Sequence, residues 1–387
     1  MSDLIYLDNA ATAFPKPPEV IDTMADFYRN YGVNPGRAGY DLAVEAGLML
    51  DGARSLLGEF FNNPAKDRDR TCFAMNASGA LNMMIQGVCH PGDHVVSTML
   101  EHNSVLRPLY EMEQLGLITH DLVGFDSQGF VDPDDIAKAI KPNTRLVIIN
   151  HGSNVLGTIQ DAEAIGKICK DKGILFALDT AQTAGMIPID MTAWHVDMLA
   201  FTGHKSLMGP TGTGGMVIGP DVPIRATRWG GTGVKSAVKT HLDYFPYIGE
   251  VGTANTVGIA GLKRGVEWVL EKGMDSIRAH EMDLAKTLID GLRDIPKVKL
   301  YCADYTERNL PVVCANVEGF ESTQTGEILD VEHDIATRIG LHCAPLAHEG
   351  IGTTPKGTVR FSVGPFNTAA HIDAAIEGMK DVVSMAR

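Results

Sequence analysis

The six cysteines of this 387-residue chain, Cys72, Cys89, Cys169, Cys302, Cys314 and Cys343, include no Cys-x-x-Cys pair. Their scatter argues against a zinc site and against a disulfide framework, so no metal is expected. Most lie within apolar segments, as inert core thiols do. Basic charge is short too. The 33 Lys and Arg face 48 Asp and Glu, and the formal net charge of −15 argues against nucleic acid or an anionic membrane surface as the main partner. No apolar run reaches the length of a membrane span. No basic-then-apolar leader is visible, since Met1-Ser2-Asp3 runs straight into a short strand. A cytoplasmic protein is expected. Internal repeats and low-complexity linkers are missing as well. What is left is ordinary globular material, 44% hydrophobic and 21% charged, long enough for two domains with a large core.

Short apolar runs alternate with amphipathic helical stretches, the pattern of an α/β protein. Helices are predicted over Pro18–Arg29, Ala43–Phe61 and Gly79–Gly87. Strands are predicted at Cys72–Met75, His94–Ser97, Leu146–Ile149, Ile174–Leu178, Met198–Phe201 and Gly215–Ile218. Almost every one ends in a polar or glycine-bearing turn, where open parallel sheets gather ligands. Beyond about Asn255 the texture changes to long helical runs, Gly258–Lys272 and Ile277–Arg293, followed by strands near Val298–Tyr301 and Val312–Ala315. That change marks a plausible boundary to a smaller α+β domain.

The stretch Phe201-Thr202-Gly203-His204-Lys205-Ser206 places a lysine at a strand end, in a bend completed by Gly209-Pro210-Thr211-Gly212. Alone, this reads as a turn lysine between two strands. Upstream, however, Gly173–Leu178 reads as a buried strand ending in Asp179-Thr180-Ala181-Gln182, with a carboxylate at a second strand end. A Schiff-base lysine and an acid that keeps a pyridine nitrogen protonated are what pyridoxal 5'-phosphate requires.

The pair Asp179-x-x-Gln182 and Thr202-Gly203-His204-Lys205 resembles the class V aminotransferase family of fold-type I pyridoxal-phosphate enzymes, above all its cysteine desulfurases and selenocysteine lyases. The likeness runs from Tyr6-Leu7-Asp8-Asn9-Ala10-Ala11-Thr12 to Arg360-Phe361-Ser362, several motifs in order. It implies an α/β fold with a central, mostly parallel sheet in a large cofactor domain, residues 16–256. Residues 1–15 and 257–387 would form a small α+β domain. A homodimer is implied.

The resemblance assigns the cofactor phosphate to Ala77 and Ser78, with Thr202 and His204 as further contacts. Taken bare, Ser78-Gly79 is a common helix cap; small residues there also expose amides to an anion. Thr253, in Glu250-Val251-Gly252-Thr253-Ala254-Asn255, matches a loop that reaches the neighbouring subunit's phosphate, with Ala254 in place of the usual proline. His102, otherwise an ordinary loop histidine, becomes the imidazole stacked on the pyridine ring. Asn154 and Gln182 match amides near the phenolic oxygen, and Asn154 also nears the substrate carboxylate. Arg360 matches the carboxylate clamp, while strand alternation leaves a solvated arginine open. Arg37 matches an active-site loop arginine, with a glycine where some relatives have histidine.

Cys343, by composition a structural thiol, matches the nucleophile of the second desulfurase group in Arg338-Ile339-Gly340-Leu341-His342-Cys343-Ala344; Leu341 replaces that motif's first histidine. The implied reaction turns L-cysteine, or L-selenocysteine, into alanine, with a persulfide on Cys343 passed to a sulfur-acceptor protein. Selenocysteine lyase, another class V aminotransferase or lyase, and an idle sulfur-transfer scaffold are the competing readings. The scaffold has no need of Lys205, Asp179 and the phosphate turn together.

Overall fold

Apolar runs, mostly of one direction, build a sheet covered on both faces. The structure, a computed structural model, describes residues 4–35, 40–301 and 307–385. After a two-residue strand β1 (Ile5–Tyr6) come β2 (Thr71–Ala74), β3 (Asp93–Thr98), β4 (Ile118–Val123), β5 (Thr144–Asn150), β6 (Leu175–Asp179), β7 (Met198–Thr202) and β8 (Gly214–Ile218). Strands β2 to β8 form one seven-stranded sheet in the order β2-β8-β7-β6-β5-β3-β4. Only β8 runs antiparallel to its neighbours; the other pairs are parallel. Val147, Ile149, Phe176, Leu178, Leu199 and Phe201 pack into the cluster on one face. Their alternate neighbours Leu146, Ile148, Ala177, Met198 and Ala200 pack into the cluster on the other. A period of two with both faces apolar is the signature of a sheet sandwiched between helices. In register, Asn150 pairs with Asp179 and Asp179 with Ala200, so the carboxyl ends of β5, β6 and β7 come level.

The later chain adds β9 (Val298–Leu300), β10 (Val312–Val317), β11 (Ile335–Ala336), β12 (Arg338–Gly340) and β13 (Thr358–Ser362). Four of these make an antiparallel sheet in the order β12-β13-β10-β9. The amino end of the chain joins them: β1 pairs in parallel with β11, and Asp8 bridges Ser362. Leu7 lies in the same apolar cluster as Leu288, Val313, Phe361 and Ile372. The helix Thr256–Lys272 instead packs on helices Pro18–Tyr31 and Asp41–Phe60, burying Ile259, Leu262 and Val266 in the cluster of the large sheet.

Strand and helix limits shift by one to three residues from those expected. One expectation about the phosphate turn is corrected. The helix opens at Ala77, not Gly79, because the Asn76 side chain accepts the Gly79 amide and caps it, so Ser78 lies inside the first turn. Strand β4 escaped notice since its residues, Ile-Thr-His-Asp-Leu-Val, are those of a half-exposed edge without an apolar run. Arg37 and Cys302 lie outside the described residues. Among the described residues, no helix is long and apolar enough to cross a membrane, and no cluster of His, Cys, Asp or Glu is arranged to hold a metal ion.

Candidate active site

At the level ends of β5, β6 and β7 lies a cavity of about 260 Å³. The large sheet contributes Asp179, Gln182, Thr202, His204 and Lys205, and two helix starts contribute Ala77, Ser78 and His102. From the connection after β5 comes Asn154, and from the antiparallel sheet and its loop come Arg360 and Cys343. These residues, scattered over nearly the whole sequence, share one wall. Thr253 does not belong to it; it sits exposed in the bend after Glu250. That loop is anchored by Glu250, whose carboxylate receives both Arg54 Nη groups at 2.5 and 2.7 Å and the Phe73 amide at 2.6 Å.

Lys205 follows β7 through Gly203, which must be glycine: a Cβ there would stand 2.2 Å from Thr213 Oγ1. Lys205 is half-buried, and desolvation pushes its pKa down to about 8, with Asp179 and Cys343 opposing and Arg360 and Arg338 adding to the fall. A lowered pKa leaves more free amine to act as a nucleophile. Asp179 is buried beside it, its Oδ1 accepting the Ala181 amide at 2.9 Å. Burial raises the Asp179 pKa, while the Ala181 hydrogen bond and the Lys205 charge pull it down. A buried carboxylate in that state suits a cationic partner.

His102 caps the helix Asn103–Gln114; its Nδ1 accepts the Ser104 amide at 3.0 Å, which leaves the ring proton on Nε2. Burial, then the charges of Lys205, Arg107, Arg360 and Arg338, hold its pKa down at about 4, so the ring is neutral. Just before it, Glu101 is wholly buried. Its Oε1 accepts the Thr98 hydroxyl at 2.6 Å and the Asn150 amide at 3.0 Å, and burial pushes the acid up to about 8.

The loop between β12 and β13 carries its two key residues in left-handed backbone, His342 at φ 48° and Cys343 at φ 60°. Non-glycine residues hold that region only when neighbours impose it. Here Asn154 Nδ2 donates to the His342 carbonyl at 2.6 Å, the Asn103 amide donates to the Cys343 carbonyl at 2.7 Å, and His342 Nε2 lies 3.0 Å from Thr358 Oγ1. The four other described cysteines are buried, but Cys343 is exposed. Its thiol also borders a second groove, about 630 Å³, running outward along the helix Asn103–Gln114.

Arg360, at 2% exposure, is no solvated strand arginine. Its Nη1 donates to the Asn154 carbonyl at 3.1 Å and its Nη2 pairs with Asp8 Oδ1 at 2.8 Å. Nε is buried with no partner, and so are Thr202 Oγ1 and His204 Nδ1. Buried polar atoms left unpaired on one cavity wall await ligand groups. Sequence reasoning missed Asp8, Ser104, Asn150, Arg338 and His342 as neighbours of the site. Asp8 and Arg338 stood inside quoted motifs, but nothing local in the sequence shows that a residue at position 8 meets one at 360.

Residues 5–375 match the aminotransferase class-V family, and the chain belongs to it. Among its relatives is a probable cysteine desulfurase of Methanothermobacter thermautotrophicus, 32% identical over 392 residues that span all of this chain and 96% of the relative. Of solved structures, the apo cysteine desulfurase of Thermococcus onnurineus NA1 superposes with a TM-score of 0.92 at 31% identity, covering 99% of this chain and 96% of that one. The cysteine desulfurase CsdA of Escherichia coli gives 0.88 at 25% identity, covering 100% and 96%.

Proposed function

We propose that this chain is a pyridoxal-5'-phosphate-dependent cysteine desulfurase that converts L-cysteine to L-alanine and passes sulfur through Cys343 to an acceptor protein. One observation carries the proposal: a half-buried lysine, a buried carboxylate and an exposed thiol border the same cavity. The unpaired Thr202 Oγ1, His204 Nδ1 and Arg360 Nε fit a phosphate and a carboxylate entering there.

In this reading Lys205 would bond the cofactor, Asp179 would hold its ring nitrogen, and Gln182 and Asn154 would attend its phenolic oxygen. The first turn of the helix Ala77–Val88, with the Ser78 hydroxyl, Thr202 and His204, holds its phosphate. Thr253 of each subunit completes the partner's phosphate site, which makes the protein a homodimer. When bound, the cofactor supplies an electron-withdrawing ring conjugated to the substrate Cα. Arg360 would grip the substrate carboxylate, a role the family resemblance extends to Arg37. Lys205 would be the base that takes the Cα proton. His102, neutral with its proton on Nε2, would lie beside the cofactor and relay protons.

Cys343 as thiolate attacks the substrate sulfur. The new S–S bond would form as Cβ–S breaks, the electron pair staying on the carbon side; a proton added at Cβ and one returned to Cα, by Lys205, would then yield alanine. The outward groove then exposes the Cys343 persulfide to an acceptor. We also propose the division into a domain of residues 16–256 and a second of 1–15 with 257–387; the pairing of β1 with β11 supports the return of the amino end, while the helix Thr256–Lys272 of the second packs on the first.

Incubating the cofactor-loaded protein with L-cysteine and a thiol tests the activity. Equimolar alanine and sulfide are expected; pyruvate with ammonia, or a keto acid, would assign a different lyase or an aminotransferase.

A further inference from the structure

Three donors converge on one backbone oxygen beside Lys205. The His204 carbonyl accepts hydrogen bonds from the Lys16 ammonium at 2.6 Å, the Ala13 amide at 3.0 Å and the Thr12 hydroxyl at 3.1 Å. A peptide oxygen has two lone pairs, so three donors saturate it. All three come from one short stretch that is itself braced: the Tyr6 hydroxyl donates to the Thr12 carbonyl at 2.9 Å and the Phe14 amide to Asn9 Oδ1 at 3.2 Å. The oxygen they hold belongs to the peptide that leads into Lys205.

Lys16 is the unexpected member. It is half-buried, its hydrogen-bond partner is a neutral carbonyl, and no carboxylate pairs with it among the described residues. Burial alone pushes its amine down to about 8. A desolvated ammonium without a counter-charge is costly to keep, and an apolar residue would fill the same place more cheaply for stability alone. Its charge also adds to burial and Lys205 in holding the His204 ring down at about 4, hence neutral.

We propose that Lys16 is a positioning residue for Lys205: its ammonium, with Thr12 and Ala13, pins the His204–Lys205 peptide so that the Lys205 amine meets the cofactor aldehyde in a fixed place. The side chain of Lys205 must leave that bond and then reach Cα, so the fixed point has to be its backbone. The front of the turn is already tied, the Gly203 amide to the Thr213 carbonyl at 2.9 Å and the Gly209 amide to the Gly203 carbonyl at 2.8 Å. Behind it the Lys205 carbonyl accepts the Met208 amide at 2.9 Å, and the strap at 12–16 ties the peptide between them. This inference rests on Lys205 being the cofactor-bearing lysine.

The test compares two ligands on the full-length, cofactor-free protein by calorimetric titration: pyridoxal phosphate and pyridoxine phosphate. The second has an alcohol where the first has its aldehyde, so it fills the same contacts without bonding to Lys205. Lys16→Met should weaken pyridoxal phosphate about tenfold, the scale of one charge-assisted hydrogen bond, and leave pyridoxine phosphate unchanged. Lys16→Arg should restore the difference, and Thr12→Val, which removes a neutral donor, should give a smaller loss in the same sense. A loss shared equally by both ligands, or by neither, overturns the proposal in whichever of these variants folds. A wild-type protein that binds both ligands equally, or neither, would instead sink the reading of Lys205 itself.

Discussion

Asp8 Oδ1 stands 2.8 Å from Arg360 Nη2, joining residues 352 positions apart in one partly buried ion pair. Asp8 and the Asn154 carbonyl each take one nitrogen of the guanidinium, which leaves Nε unpaired at the cavity. A guanidinium so held presents its remaining donors in one orientation, as bidentate grip on a carboxylate demands.

Asp8→Ala should therefore raise KM for cysteine about tenfold with little change in kcat, since a loosened grip costs ground-state and transition-state binding alike. Binding of L-alanine should weaken in parallel, while ethylamine, which has no carboxylate, should bind as before. A lower KM would mean that Asp8 competes with the substrate and does not orient Arg360.

Lys205 titrates near 8 in place of its usual 10.5. In cofactor-free protein its neutral fraction should rise with pH through about 8, well before other lysines respond. Competitive labelling with an amine reagent across pH, read by peptide mass spectrometry, checks this; a midpoint near 10 would remove the desolvated amine from the account. The sign for stability follows. Below about 8 the fold bears the cost of a buried charge, and that cost is relieved as pH rises from about 8 to about 10.5.

Glu101 shows the opposite linkage. Its folded pKa is raised from 4.5 to about 8, so the stability it contributes is fully present below about 4.5 and is lost as pH rises to about 8. Glu101→Gln keeps an oxygen for the Thr98 hydroxyl and the Asn150 amide but does not ionise. The variant should match wild type near pH 5 and exceed it by at least about 1 kcal/mol near pH 8. Thermal unfolding at both pH values decides; a constant offset would show that Glu101 does not titrate in this range.

The sequence made the sheet legible because β5 to β8 are continuous apolar runs that no other element would tolerate. Lys205, Asp179 and Cys343 were legible from their motifs, and the cavity brings them together. The edge strand β4 was not, since an edge needs few apolar residues. The pairs Asp8–Arg360 and Lys16–His204 were not either, because each joins the amino end to residues made adjacent only by tertiary packing. The exposure of Cys343 and the burial of Arg360 were likewise settled by packing, where strand alternation and composition had left both open.

The central claim is that sulfur leaves cysteine by way of Cys343 while Lys205 serves the Cα chemistry. Cys343→Ser should retain the visible colour of the loaded enzyme and exchange of the substrate Cα proton with solvent, whereas Lys205→Ala should lose both. The most direct measurement is mass spectrometry of the peptide containing Cys343 after a single turnover of wild-type enzyme with L-cysteine. The account predicts one added sulfur atom on Cys343, removable by a thiol and matched by one alanine released. Alanine released at the wild-type rate by the Cys343→Ser enzyme, with no sulfur on that peptide in the wild type, would contradict it.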